Sequence, residues 1–273
     1  MQYRPVLPEH NDNVSHSEPL KEFAEIALSL AIAGLLIFWA IGFFVDQIVD
    51  GMSAETEAAI SKRMPSSSNA VPPALLARQK QVQALVDGLR TCTTVRRPTP
   101  MSLTEAAALN AAVSPGGNMT VFTGLLSSKL SENGLSFVLA HELAHIEHRD
   151  HLRGMGRGIA TAVVMATVTG GSGDIEVLTA PAMKLGMSKY SRTREAAADL
   201  RALDILHCRY GHVGGATELF EKLKADESSW SLSHYVASHP GLGDRIAALG
   251  AHAQARRYKH SATTAFRPAP NTP

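Results

Sequence analysis

The chain has 273 residues, enough for one well-cored domain with appendages or two small domains at most. Hydrophobic residues make up 45% and charged residues 19%, and the formal net charge is +1. That composition excludes disorder and leaves no electrostatic footprint for nucleic acid.

In chain order, residues 1–25 read as an N-terminal tail and residues 26–49 as a transmembrane helix. From Ile26 to Val45 runs a stretch of twenty residues without a charge. At about 1.5 Å per helical residue it covers a hydrocarbon core of about 30 Å. A cleaved signal peptide fits less well, because the leader is acidic (Glu18, Glu22 and Glu25 against Lys21) and the apolar stretch is too long. Arg4 and Lys21 before the span balance Lys62 and Arg63 after it, so the positive-inside count is tied. The short leading tail and long trailing domain favour a trailing domain on the periplasmic, non-cytoplasmic side of a single-pass protein.

Residues 50–73 are expected to form a juxtamembrane linker. In it Ser53 to Met64 reads as helical before Pro65, Ser66, Ser67, Ser68, Pro72 and Pro73 break the chain into a flexible joint. The soluble domain is expected over residues 74–255. Leu75, Leu76, Val82, Leu85, Val86 and Leu89 recur at spacings of three and four, which predicts an amphipathic helix over Ala74–Arg90. Leu109–Val113 and Asn118–Phe122 flank the turn cluster Ser114-Pro115-Gly116-Gly117, a β hairpin pattern. Glu132–His148 reads as a helix capped by Ser131, and Tyr190–Tyr210 as another ended by Gly211. The apolar run Ile159–Val168 is only ten residues, too short to cross a bilayer, and is expected to be a core helix. Residues 256–273 are expected to be a flexible C-terminal tail. The two cysteines, Cys92 and Cys208, lie in no C-x-x-C pair. Unpaired thiols packing as small hydrophobes are the simpler expectation, with a single bridge as the alternative, so the redox compartment stays open.

The chemistry gathers in His141-Glu142-Leu143-Ala144-His145, an H-E-x-x-H pattern within the helix predicted around it. Residues four apart share a helix face, so both imidazoles reach one ion, and Glu142 is offset toward the open coordination position. A bound zinc lowers the pKa of its water from about 15.7 to about 7, and a glutamate beside it accepts the proton. A catalytic zinc needs a third protein ligand. Glu195 is one candidate, in Glu195-Ala-Ala-Ala-Asp199, where Asp199 one turn on would orient a ligand imidazole. The rival is His151, at the metzincin offset, although His148 stands where that pattern needs a glycine to turn the helix sharply.

These residues resemble the HtpX and CAAX-prenyl-protease group of gluzincin metallopeptidases, peptidase family 48 of the metallopeptidases. The resemblance rests on H-E-x-x-H followed by Tyr190-Ser191-Arg192-Thr193-Arg194-Glu195-Ala196-Ala197-Ala198-Asp199. Asn110-Ala111, Pro115-Gly116-Gly117 and Gly124-Leu125-Leu126 precede the metal helix, and Ser238-His239-Pro240 with Arg245-Ile246 follow it. The likeness spans Ala74 to Leu249. It implies an α+β, mostly helical, zincin-like (gluzincin) domain with a small β hairpin or sheet beside the active-site helix, and one zinc ion per subunit. It also implies an edge strand that pairs with extended protein or peptide substrates, expected over Asn118, Met119, Thr120, Val121 and Phe122, with Gly116 and Gly117 shaping its entrance. His239 is implied to approach the metal, either donating to the oxyanion or filling the fourth zinc position in a latent state. Arg245 could equally be a helix-surface salt bridge.

One span and a long linker differ from the family's several-span members, so processing of prenylated peptides inside the membrane is not expected. The expected function is a membrane-anchored zinc metalloendopeptidase, with Glu142 as general base, acting on unfolded or misassembled proteins near the lipid bilayer. A catalytically silent chaperone or binding scaffold is the alternative from another class, and a structural metal site with four protein ligands is a third.

Overall fold

A computed structural model of the chain describes residues 18–63, 72–114, 117–169, 191–225, 239 and 242–270. The chain divides into two compact units, residues 1–44 and 45–273. In the first, the described residues belong to α1 (Pro19–Asp50), one helix that continues into the second unit. Leu28, Leu35, Phe38 and Trp39 are all exposed along it. This is a helix long and apolar enough to cross a membrane.

In the second unit, α2 (Ala54–Arg63) and a 3-10 turn (Pro73–Leu75) lead into α3 (Leu76–Arg90). Three short strands follow, β1 (Met101–Thr104), β2 (Ala111–Val113) and β3 (Met119–Phe122). Then come α4 (Thr123–Ser127), α5 (Glu132–Glu147), α6 (Asp150–Thr169), α7 (Arg192–Tyr210), α8 (Glu218–Ala225) and α9 (Leu242–Arg256). Helix α5 is the centre: every residue from Asn133 to Ile146 is buried. A helix apolar nearly all round must be covered on every side, and α3, α7 and β2 pack against it.

The hairpin forms as its pattern predicts, with β2 antiparallel to β3 and Gly117 at φ 71° in the turn, a conformation that costs glycine nothing. The expected substrate-pairing edge is corrected. Strand β3 is the middle of the sheet, because β1 pairs with its other side in parallel from Met101↔Met119 to Thr104↔Phe122. Met119 to Phe122 thus spend their ladder groups inside the protein, and the sheet edges are β1 and β2. Asn118 serves the turn, its carbonyl accepting from Ser114 N–H at 2.9 Å. Gly116, assigned to the entrance, lies outside the described residues.

The first part of the linker is helical as its sequence reads, in α2, where Glu57 is buried between Arg97 at 3.0 Å and Arg149 at 3.1 Å, and residues 64–71 of the expected joint lie outside the described residues. Three further expectations change. Ile159–Val168 does not enter the core: it is the outer half of α6, where Val163, Met165 and Val168 are 54%, 56% and 76% exposed. Residues 257–270 are held rather than frayed. Thr264 accepts from Glu132 N–H at 2.7 Å and donates to Asn133, Ala265 bridges Ser131, and Gln81 grips Arg267 and Ala269. This segment therefore braces the start of the metal helix. Finally, Cys92 and Cys208 form a disulfide that ties the end of α3 to α7 across 116 residues of chain.

Candidate active site

Helix α5 begins where Ser131 caps it: the Gly134 N–H donates to Ser131 Oγ at 2.9 Å, and Glu218 in turn accepts from both the Ser131 N–H and hydroxyl. Helix α7 repeats the device, with Ser191 capping Arg194 and Gly211 closing the far end at φ 74°. These starts fix the phase of each helix, so that His141 and His145 on one and Glu195 on the other face the same point.

At that point four side chains converge. His141 Nε2 lies 3.0 Å from His145 Nε2, and each of these nitrogens lies 3.4 Å from a Glu195 oxygen. His239 joins them, its Nδ1 3.3 Å from His141 Nε2 and 3.0 Å from Glu195 Oε2. All four residues are buried. Ligand atoms on a tetrahedron with bonds of about 2.0–2.1 Å stand about 3.3–3.4 Å apart, so the spacing fits a zinc-sized cation. The donor set argues the same way: imidazole nitrogens and a carboxylate converging in a dry interior are the donors a zinc-like cation takes.

The electrostatics agree. Burial alone would lower the His141 pKa, but Asp199, 2.9 Å from its Nδ1, and Glu195 outweigh it and raise it to about 10. Against the opposing effect of burial, contacts with His141, His145 and His239 hold the Glu195 carboxyl far below the usual carboxylate range. Glu142, next to the cluster, moves the other way: burial raises its pKa. Its Oε1 is 3.6 Å from His239 Nε2, and its Oε2 has no hydrogen-bond partner among the described residues. Desolvation thus makes the Glu142 carboxyl beside the cluster a stronger proton acceptor than an exposed glutamate.

Asp199 stands where a ligand imidazole needs its other nitrogen held. It is itself clamped by Arg245, whose Nε and Nη2 both donate to it at 2.6 Å while Nη1 lies 3.1 Å from Glu195. Arg245 is buried over the Phe220 ring and is no surface salt bridge. His151 stays out of the cluster. It is buried near Glu57, at 3.9 Å, and burial followed by the charge of Arg97 pushes its pKa down to about 3. Sequence reasoning overlooked Asp150, whose Oδ2 is 2.9 Å from His145 Nδ1. The only signal was an acid five residues past the second histidine.

The sequence also matches known proteins. The family model of Peptidase family M48 matches residues 76–253. Mitochondrial metalloendopeptidase OMA1 of Schizosaccharomyces pombe is 29% identical over 157 residues, 56% of this chain and 43% of that protein. Metalloprotease LoiP of Escherichia coli is 26% identical over 154 residues, 55% of this chain and 60% of that protein. The chain thus spans about half the length of the curated relatives it matches. With a metal-competent cluster built on H-E-x-x-H and a family match over well over half of its residues, the chain belongs to peptidase family M48.

Proposed function

We propose that the chain is a membrane-anchored zinc metalloendopeptidase with His141, His145 and Glu195 as zinc ligands and Glu142 as general base. The observation that carries the reading is the convergence of the ligand atoms at tetrahedral spacing beside a carboxyl whose proton affinity is raised. Zinc held there supplies Lewis acidity and an acidified water. Glu142 takes the proton from the attacking water and returns it to the leaving amine, a task suited to a carboxylate with raised pKa. Asp199 keeps the His141 ring in the tautomer that leaves Nε2 free for the metal. Extended substrate adds to the sheet at β2, the edge strand packed against α5, in place of the β3 pairing expected from sequence. Glu195→Ala is expected to drop zinc content from near one equivalent per chain to a small fraction. A full equivalent in that variant would sink the reading.

With His239 the cluster has four protein donors, the set of a closed site, whereas catalysis needs one open position. This favours a latent form in which His239 fills the position that substrate and water require. Replacing His239 by alanine should leave zinc near one equivalent and change turnover. A rise marks His239 as a plug, a fall of about 10²-fold marks it as an oxyanion donor, and unchanged turnover returns it to an ordinary loop histidine.

The Cys92–Cys208 disulfide supports a catalytic domain on the non-cytoplasmic side, since such bonds persist in oxidising compartments. Substrate pairing through backbone groups fits unfolded or misassembled proteins, which present extended chain, and supports a role in membrane or envelope protein quality control.

A further inference from the structure

We infer that Asp150 is a positioning residue for the ligand His145, and that Arg194 and Asp46 hold Asp150 in place, making the end of the anchor helix part of the metal site's support. The inference rests on the metal-centre reading above and deepens it.

Each ligand histidine has its own carboxylate. His141 Nδ1 meets Asp199, which the sequence motif includes, and His145 Nδ1 meets Asp150 at 2.9 Å, which it does not. A histidine that offers Nε2 to a metal must carry its proton on Nδ1, and an acceptor there fixes both tautomer and ring orientation. Asp150 is delivered by a turn. After α5 ends at Glu147, Arg149 adopts φ 57°, and α6 starts with Asp150, whose carboxylate reaches His145. Arg149 is fastened in that conformation by donating Nη1 to the carbonyls of Val49 and Met52, both at 2.9 Å.

The other oxygen of Asp150 faces Arg194 Nε at 3.4 Å, and Arg194 Nη2 reaches Asp46 at 3.3 Å. Asp46 is the residue after Val45, where the charge-free run ends. It is anchored in turn by Arg157 at 2.6 Å and Arg153 at 3.2 Å on α6. Arg194 also precedes the third ligand, Glu195, in the first turn of α7. A single guanidinium therefore pins the starts of α6 and α7 to the last turns of α1. Because His145 and Asp150 are almost wholly buried, a misplaced carboxylate there has no water to replace it.

The test uses the full chain in detergent with its disulfide intact, stripped of metal and titrated with zinc against a chromophoric chelator. Asp150→Asn should weaken zinc binding about 10- to 100-fold. Asp46→Asn should weaken it several-fold, and should add nothing in the Asp150→Asn background. Asp204→Asn is the control for general destabilisation, since it breaks a pair with His252 and Tyr258 away from the metal and should leave zinc affinity unchanged. If Asp150→Asn does not fold, the partly exposed Asp46 carries the test. Wild-type affinity in either Asp150→Asn or Asp46→Asn, or an equal loss in Asp204→Asn, overturns the inference alone. A wild-type chain that binds no zinc overturns the metal-centre reading together with it.

Discussion

Glu142→Gln is expected to abolish peptide cleavage, by about 10²- to 10⁴-fold, while zinc stays near one equivalent. The amide is nearly isosteric with the carboxyl and cannot accept the water's proton. Glu142 is not among the four converging residues that could hold a metal, so its replacement should remove the proposed base and leave the metal site standing. Casein cleavage measured beside zinc content separates the possibilities. Loss of both would show that Glu142 supports the metal, and retained cleavage would rule it out as the base. An inactive wild type with full zinc would favour the scaffold alternative.

Arg245→Met should be the most damaging substitution for stability, at about 3–5 kcal/mol, because it leaves Asp199 and Glu195 buried with one fewer cation. Methionine keeps the contact with Phe220, so the loss reports charge more than packing. Urea midpoints of metal-free protein at constant pH would measure it. Both carboxyls have folded pKa values below their ordinary 4.5 and 3.8. Their stabilisation is therefore fully present above those values and is lost as pH falls through the depressed ones. The gap between Arg245→Met and wild type should narrow on acidification below about pH 4. A gap that is constant with pH would mean that Arg245 matters for shape alone.

The metal helix, its cap at Ser131, the glycine stop at Gly211 and the pairing of H-E-x-x-H with Glu195 and Asp199 were all legible in the sequence. The distant Glu195 was legible through the third ligand a catalytic zinc needs and the second family motif, whereas the helix, cap and stop depend on local rules of periodicity and side-chain capping. The hairpin was legible for the same reason, since a turn cluster between two apolar runs is a short-range signal.

What tertiary structure alone decided is the partnership of distant segments that no ligand count or motif marks. The position of β3 in the middle of the sheet depends on β1, whose parallel pairing leaves no local mark. The same holds for the Cys92–Cys208 bridge, for the 257–270 segment that braces α5, and for burial of Arg245 against Asp199. Asp150 shows the limit most clearly. Its place on His145 comes from one left-handed residue after the helix and from an arginine 44 positions further on, and long-range ion pairs of that kind follow from packing geometry, not from spacing in the chain.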